Sequence, residues 1–236
     1  MKQGFVKVAS ATPRIRVADP VYNAQVICEQ AKEAAEHGAK IVVFPELCIT
    51  GYTCNDLFLQ ELLLEKAKEA LLTIAEETGQ LETLFLVGLP VDKDGRLYNV
   101  AAVLYRGRIL GMIPKKNIPM YAEFYEGRHF TPGEETVTEY RLGKQVIPFG
   151  SNLLFRCEEL PELILGCELC EDLWVAEPPS TSHALMGATV IANLSASNET
   201  VSKDDYRTLL IKASSARLLC GYIYTSAGEG ESTQDL

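Results

Sequence analysis

Apolar residues recur along this chain with two different periods, and each change of period marks an element. "FVKVAS", starting at Phe5, has the short β-branched character of a first strand. Asp19 followed by Pro20 reads as an N-cap with proline in the first helical turn. From there Ala24, Ile27, Cys28, Ala31, Ala34 and Ala35 share one helical face, and Gly38 marks the stop. "KIVVFPE" is a continuous apolar run of the buried-strand kind, closed by Pro45 and Glu46. Helical spacing then returns from Leu57 to about Thr78.

Beyond Thr78 the elements shorten. "LFLVGLPV", "LYNVAAVLY" and "RILGMIP" follow closely, with Asp94-Gly95 and Arg106-Gly107-Arg108 as hairpin turns between them. A loop-rich stretch from Lys115 to Glu135 carries Tyr121, Phe124, Tyr125 and Phe130. Short strands resume at "QVIPFG", "NLLFRC" and "LILGC". "TVIANLS" reads as another buried strand, Lys203 to Cys220 as a helix and "GYIYTSAG" as a last strand. Helices alternating with both crossover and hairpin connections predict a layered α/β domain with a mixed sheet. One domain spans residues 1–236, without repeat or internal boundary. "GEGESTQDL" follows the last strand with no closing element, which predicts that the natural protein continues.

Composition narrows the function. Apolar residues make up 47% of the 236, enough for a sizeable core, and the formal net charge is −10. That balance supplies no basic patch for a phosphate backbone, so a small-molecule substrate is expected rather than nucleic acid. The N-terminus lacks a basic head joined to a long apolar core, and no apolar run nears the ~18 residues of a membrane span. Seven cysteines, an odd number without framework spacing, fit a reducing compartment. A soluble, cytoplasmic protein is expected, with no membrane partner.

The chemistry concentrates at strand ends. "LILGCELCEDLWV" holds Cys167 and Cys170 three residues apart. A structural zinc site needs about four Cys or His ligands. The remaining candidates, Cys48, Cys54, His37, His129 and His183, are scattered, so no metal is expected. A thioredoxin-like pair would open a helix, whereas Cys167 falls inside an apolar run. Cys167 reads as a buried thiol. Cys170 sits where that run gives way to Glu171-Asp172, at the sheet's C-terminal rim, where catalytic groups of α/β folds gather. It is either a second buried thiol or a nucleophile. A nucleophile needs a base and a group to hold the oxyanion. No histidine has a suitable context. Glu46, at the end of "VVFP", could be that base or a loop carboxylate. Lys115, after "GMIP", could stabilise negative charge or be a solvated turn lysine, and Lys116 beside it leaves the choice open.

Glu46, Lys115 and Cys170 together resemble the Glu-Lys-Cys triad of the nitrilase superfamily of carbon–nitrogen hydrolases. Within it, "FPELCITGY", "PKKNIPMYAEFYEGRHFTPG" and "CEDLWV" are similar to the glutaminase domain of glutamine-dependent NAD synthetases. The resemblance runs from about Phe5 to the last residue. It implies a nitrilase-like α-β-β-α sandwich half, a mixed sheet with flanking helices, C-terminally truncated. It implies that Cys170 is the nucleophile, that Lys115 rather than Lys116 is the catalytic lysine, and that Glu46 is the base. A second glutamate eight residues after the lysine is common in the superfamily, which points to Glu123 as the group orienting Lys115 or the substrate amide.

The implied reaction is hydrolysis of the glutamine side-chain amide through a thioester, with no metal or cofactor. Tyr52, Tyr121, Glu171 and Ser197 are the expected substrate-binding residues, Glu171 for the α-ammonium and the tyrosines as pocket walls. In the family, ammonia passes to a synthetase domain that uses ATP and Mg to convert deamido-NAD to NAD. Its Ser-Gly-Gly-x-Asp-Ser phosphate loop is missing here, and "GEGES" is only a superficial lookalike. That domain and a further copy of this chain are the expected partners. Two alternatives remain: a free-standing amidase, carbamoylase or nitrilase of the same superfamily, and a noncatalytic module that assembles with the synthetase.

Overall fold

The computed structural model describes residues 4–231. The first helix, α1 (Pro20–Glu36), begins as its sequence predicts: Asp19 caps it by accepting from Tyr22 N at 3.1 Å, and Gly38 follows its end with φ 83°. Strands β1 (Val8–Ser10), β2 (Ile41–Val43) and β3 (Leu84–Lys93) run parallel. The strands β3, β4 (Arg96–Tyr105) and β5 (Arg108–Pro114) form an antiparallel meander. Its tight turns place Asp94-Gly95 and Arg106-Gly107 at positive φ, the backbone that such hairpins demand. β6 (Thr138–Leu142) and β7 (Gln145–Phe149) complete a seven-stranded sheet in the order β1-β2-β3-β4-β5-β7-β6.

A second sheet holds β8 (Leu154–Arg156), β9 (Ile164–Leu169), β10 (Val190–Ser195) and β11 (Gly221–Ser226), in the order β11-β10-β9-β8. The two sheets pack face to face. Ile41, Val43, Leu86, Ala101, Val103 and Ile113 of the first meet Leu165, Cys167, Leu169, Ala192, Leu194 and Ile223 of the second. The other face of the large sheet is covered by α1 and α2 (Glu61–Glu77), through Ile27, Ala31, Leu71 and Ile74 among others. The helices α3 (Pro179–Leu185) and α4 (Lys203–Leu218) flank the small sheet. The layers are therefore α-β-β-α, as the nitrilase resemblance implied.

Three differences from the sequence expectation have physical reasons. The strands divide between two sheets, as the resemblance implied, where pattern alone predicted one mixed sheet, because apolar runs report burial and not which neighbour buries them. The helix expected from Leu57 is a kinked 3-10 segment, Tyr52–Leu59, followed by α2 from Glu61. Asn55, at φ 49°, kinks the 3-10 segment from within, and extended Gln60 separates it from α2. β6 went unpredicted: only Tyr140 and Leu142 of Thr-Glu-Tyr-Arg-Leu are buried, at the edge of its sheet. Among the described residues no helix is long and apolar enough to cross a membrane. Of the terminal stretch, Ser232 to Leu236 lie outside the described residues.

Candidate active site

Parallel strands put their C-terminal ends on one edge, and here that edge is shared by both sheets. Chain leaves β2 through Phe44 and Pro45 and turns sharply at Glu46-Leu47, where Leu47 takes φ 51°. This turn lies directly on β3 at Gly88. A Cβ at Gly88 would come within 2.2 Å of Leu47 N, so only glycine lets the turn settle there. The Glu46 side chain is fully buried. Its Oε1 accepts from Asn99 Nδ2 and from Lys115 Nζ, both at 2.7 Å, and its Oε2 from Ala196 N at 2.9 Å. Burial pushes the Glu46 carboxyl up to about 7, with the Lys115 ammonium opposing and the Glu126 charge adding to the rise.

Lys115 follows β5 and is held by its backbone, which donates to Asn99 O at 2.8 Å and accepts from Gly133 N at 2.7 Å. Its buried ammonium bridges two carboxylates, Glu46 Oε1 at 2.7 Å and Glu126 Oε1 at 2.6 Å. Burial acts to strip its proton, but Glu126 and Glu46 outweigh it and hold the group charged, well above the ordinary lysine range. Lys116 points elsewhere, to Glu135 at 2.5 Å on the surface. The expectation for Glu123 is corrected. Glu123 is exposed, and the glutamate that meets Lys115 is Glu126, eleven residues on. The loop buries Phe124 and then closes a short 3-10 turn, Glu126–Arg128, which swings Glu126 inward. Spacing in an irregular loop does not reveal that swing.

Cys170 stands at the junction of β9 and a four-residue 3-10 turn, with φ 41°. A non-glycine residue in this left-handed region costs roughly 1–3 kcal/mol and persists only where its surroundings dictate it. Here they do. Buried Asp172 accepts from Leu169 N at 3.0 Å and from both nitrogens of Asn117 at 2.8 Å, tying the cysteine turn to the loop after Lys115. Burial and the Glu46 charge push the Cys170 thiol up, while the Lys115 ammonium pulls it back. The balance favours the protonated thiol. Cys167 lies mid-strand opposite Ala192, fully buried, and burial holds its thiol well above the usual range.

The residues expected to bind substrate fall at the rim of this cluster. The Tyr52 hydroxyl donates to Glu126 Oε1 at 2.7 Å. Tyr121 is exposed and donates to Glu171 Oε2 at 2.8 Å. Ser197 is buried on the turn after β10, its N–H donating to Ser226 Oγ at 3.2 Å. Four further groups escaped the sequence. Asn99 is mid-strand in an apolar run, a polar residue at an inward position, which was its only signal. Glu126 and Asp172 were two acids among many. Lys203, at the start of α4, lies 5.2 Å from the Trp174 ring centre and 5.6 Å from that of Phe124. It also hydrogen-bonds Asn198. It is a cation brought to an acidic rim from far along the chain. Among the described residues no group of three or more His, Cys, Asp or Glu could hold a metal ion.

Comparison with known proteins follows the same lines. The carbon-nitrogen hydrolase family model matches residues 7–227. Curated glutamine-dependent NAD(+) synthetases are similar along the whole chain. The one from Mycobacterium tuberculosis strain H37Rv is 43% identical over 235 residues, covering 100% of this chain and 35% of that protein. The one from Thermotoga maritima is 33% identical, over 98% of this chain and 37% of that protein. The chain thus spans little more than a third of the relatives it matches. Among solved structures, a glutamine-dependent NAD(+) synthetase from Cytophaga hutchinsonii superposes with a TM-score of 0.84 at 28% identity, over 95% of this chain and 36% of that one. An amidase from Nesterenkonia sp. shares the fold, with a TM-score of 0.71 at 20% identity, over 98% of this chain and 80% of that one.

Proposed function

As this chain belongs to the carbon–nitrogen hydrolase family, we propose that it hydrolyses the side-chain amide of glutamine, with Cys170 as nucleophile, Glu46 as general base and Lys115 as the cation at the oxyanion. The observation that carries the reading is the buried ion cluster, Lys115 Nζ at 2.7 Å from Glu46 and 2.6 Å from Glu126 beside the Cys170 turn. A structural core gains little from burying such charges, since desolvation offsets their attraction. A reaction that develops charge does gain.

Glu46 takes the thiol proton as Cys170 Sγ attacks the amide carbon. A base that titrates near 7 suits that transfer at neutral pH. The oxygen that becomes negative is met by the Lys115 ammonium and the backbone N–H beside Cys170. One such donor lowers the barrier by on the order of 3 kcal/mol. Glu46 then protonates the leaving nitrogen, ammonia departs and a thioester remains. Water adds to the thioester as Glu46 takes its proton, and the thiol is regenerated with release of glutamate. The steps balance on protein groups and water, without a cofactor. Glu126 keeps Lys115 aimed. At the rim, Glu171 offers an anion to the α-ammonium and Lys203 a cation to the α-carboxylate, a pairing that fits an amino-acid zwitterion. Tyr52, Tyr121 and Ser197 complete the pocket. Its likeness to the NAD(+) synthetases supports a role in delivering ammonia to an ATP- and Mg-dependent synthetase domain that makes NAD, within a homo-oligomer.

Intact-protein mass spectrometry after exposure to 6-diazo-5-oxo-norleucine tests this reading. One adduct is expected, mapping to Cys170, absent from Cys170→Ala and retained by Cys167→Ala. Label on Cys167, or label that survives Cys170→Ala, would refute it.

A further inference from the structure

The segment after β11, whose glycines only mimic a phosphate loop, takes no part in the chemistry above, yet its geometry is specific. It crosses the loop that precedes α1 in direct backbone contact, Ile15 N donating to Glu229 O at 3.1 Å. Gly230 takes φ 104° at the crossing, and a Cβ there would lie 1.9 Å from Ile15 O. Only glycine passes. Glu229 then points outward to an exposed ion pair with Arg14 at 3.2 Å.

Glu231 turns inward instead. Its Oε1 accepts from Tyr52 N at 2.8 Å, and its Oε2 accepts from Thr53 N at 3.2 Å and Thr53 Oγ1 at 2.9 Å. The 3-10 segment that begins at Tyr52 has no side-chain cap of its own. Glu231 supplies acceptors to its leading N–H groups from 179 residues away. The residue fixed this way is Tyr52, whose hydroxyl donates at 2.7 Å to Glu126 Oε1. That same oxygen accepts from Lys115 Nζ at 2.6 Å.

We propose that Glu231 is a positioning residue for amide hydrolysis, acting through Tyr52 on the Glu126–Lys115 pair. This rests on the function proposed above. Holding Tyr52 from its backbone sets where its hydroxyl can reach, and a shift of about 1 Å in such a support costs on the order of 100-fold in rate.

The test uses this chain with Glu231→Gln, Glu231→Ala, Arg14→Ala, Tyr52→Phe and the pair Glu231→Gln/Tyr52→Phe. Ammonia release from glutamine and the rate of Cys170 alkylation by iodoacetamide are both measured. In Glu231→Gln, kcat falls about 10-fold to 100-fold, with KM for glutamine little changed. The Arg14→Ala variant breaks the exposed pair in the same strap and keeps wild-type kcat. Tyr52→Phe absorbs most of the Glu231→Gln effect, so the pair is far from additive. Additive losses, or a folded Glu231→Gln with wild-type kcat and alkylation rate, overturn the proposal. Should Glu231→Ala not fold, Glu231→Gln and the cycle still decide. A wild-type chain alkylated at Cys170 that releases no ammonia from glutamine counts against glutamine as substrate; the alkylation rates then decide the role of Glu231.

Discussion

Replacing Glu126 by glutamine removes one charge from the buried cluster and keeps its shape. In the native arrangement two carboxylates flank one ammonium, and Lys115 Nζ sits 2.6 Å from Glu126 Oε1 with both side chains buried. A hydrogen bond to a charged acceptor contributes roughly 1.5–3 kcal/mol, about twice a neutral one. The exchange therefore costs about 1.4 kcal/mol in the positioning of Lys115, close to 10-fold in kcat. A second effect runs the other way. The Glu126 charge is one of the causes that hold Glu46 up near 7. Without it the Glu46 carboxyl falls, and the base is deprotonated at lower pH. The acid limb of kcat/KM thus moves to lower pH while the plateau drops. Glu123→Gln, on the exposed side of the loop, leaves both unchanged. Steady-state ammonia release between pH 5 and 9 reads all three. Loss of activity in Glu123→Gln with a normal Glu126→Gln would refute the assignment of the second glutamate.

Two further outcomes follow from the buried polar groups. Asn99→Leu removes the Nδ2 donor 2.7 Å from Glu46 Oε1. Losing a bond to the charged form raises the carboxyl further, so the acid limb of kcat/KM moves up by about one pH unit; an unmoved limb would contradict the geometry. Glu168, buried on β9, is pushed up from 4.5 to about 7 by burial. The native state keeps that proton between pH 4.5 and 7, where the unfolded chain releases it, so stability falls as pH rises across this window. Glu168→Gln carries no charge and loses that slope, a difference of about 3 kcal/mol between pH 4 and 8 in urea unfolding. Parallel curves for the two proteins would rule this out.

Regular elements were legible because periodicity reports burial. The Asp19 cap, the Asp94-Gly95 and Arg106-Gly107 turns and the apolar runs at β2, β9 and β10 could all be read from the chain. Partition of the strands between two sheets could not, since Val43 and Leu194 read alike whichever neighbour covers them. In the site, Glu46, Lys115 and Cys170 stood out as polar groups at strand ends, and a family resemblance chose among their alternatives. Glu126, Asp172 and Lys203 were hidden because loop geometry, not sequence spacing, brings them in. Glu231 was the extreme case: its partners, Tyr52 and Thr53, are near the other end of the chain, and no local pattern announces a contact of that range.

The packed face between the sheets has a consequence for tolerance to change. Glu46 and Lys115 hang from the large sheet, Cys170 and Ala196 from the small one, and the two sheets are held apart by a layer of Val43, Leu86, Val103, Leu169, Leu194 and their neighbours. This layer acts as a spacer gauge. A methyl group added or removed there need not unfold the protein, yet it slides one half of the cluster past the other. Interiors of this density pass such a displacement on instead of absorbing it. Fine adjustment of the reaction is therefore open to residues that never meet the substrate, and the aliphatic filling of the sandwich is as much a determinant of rate as of stability.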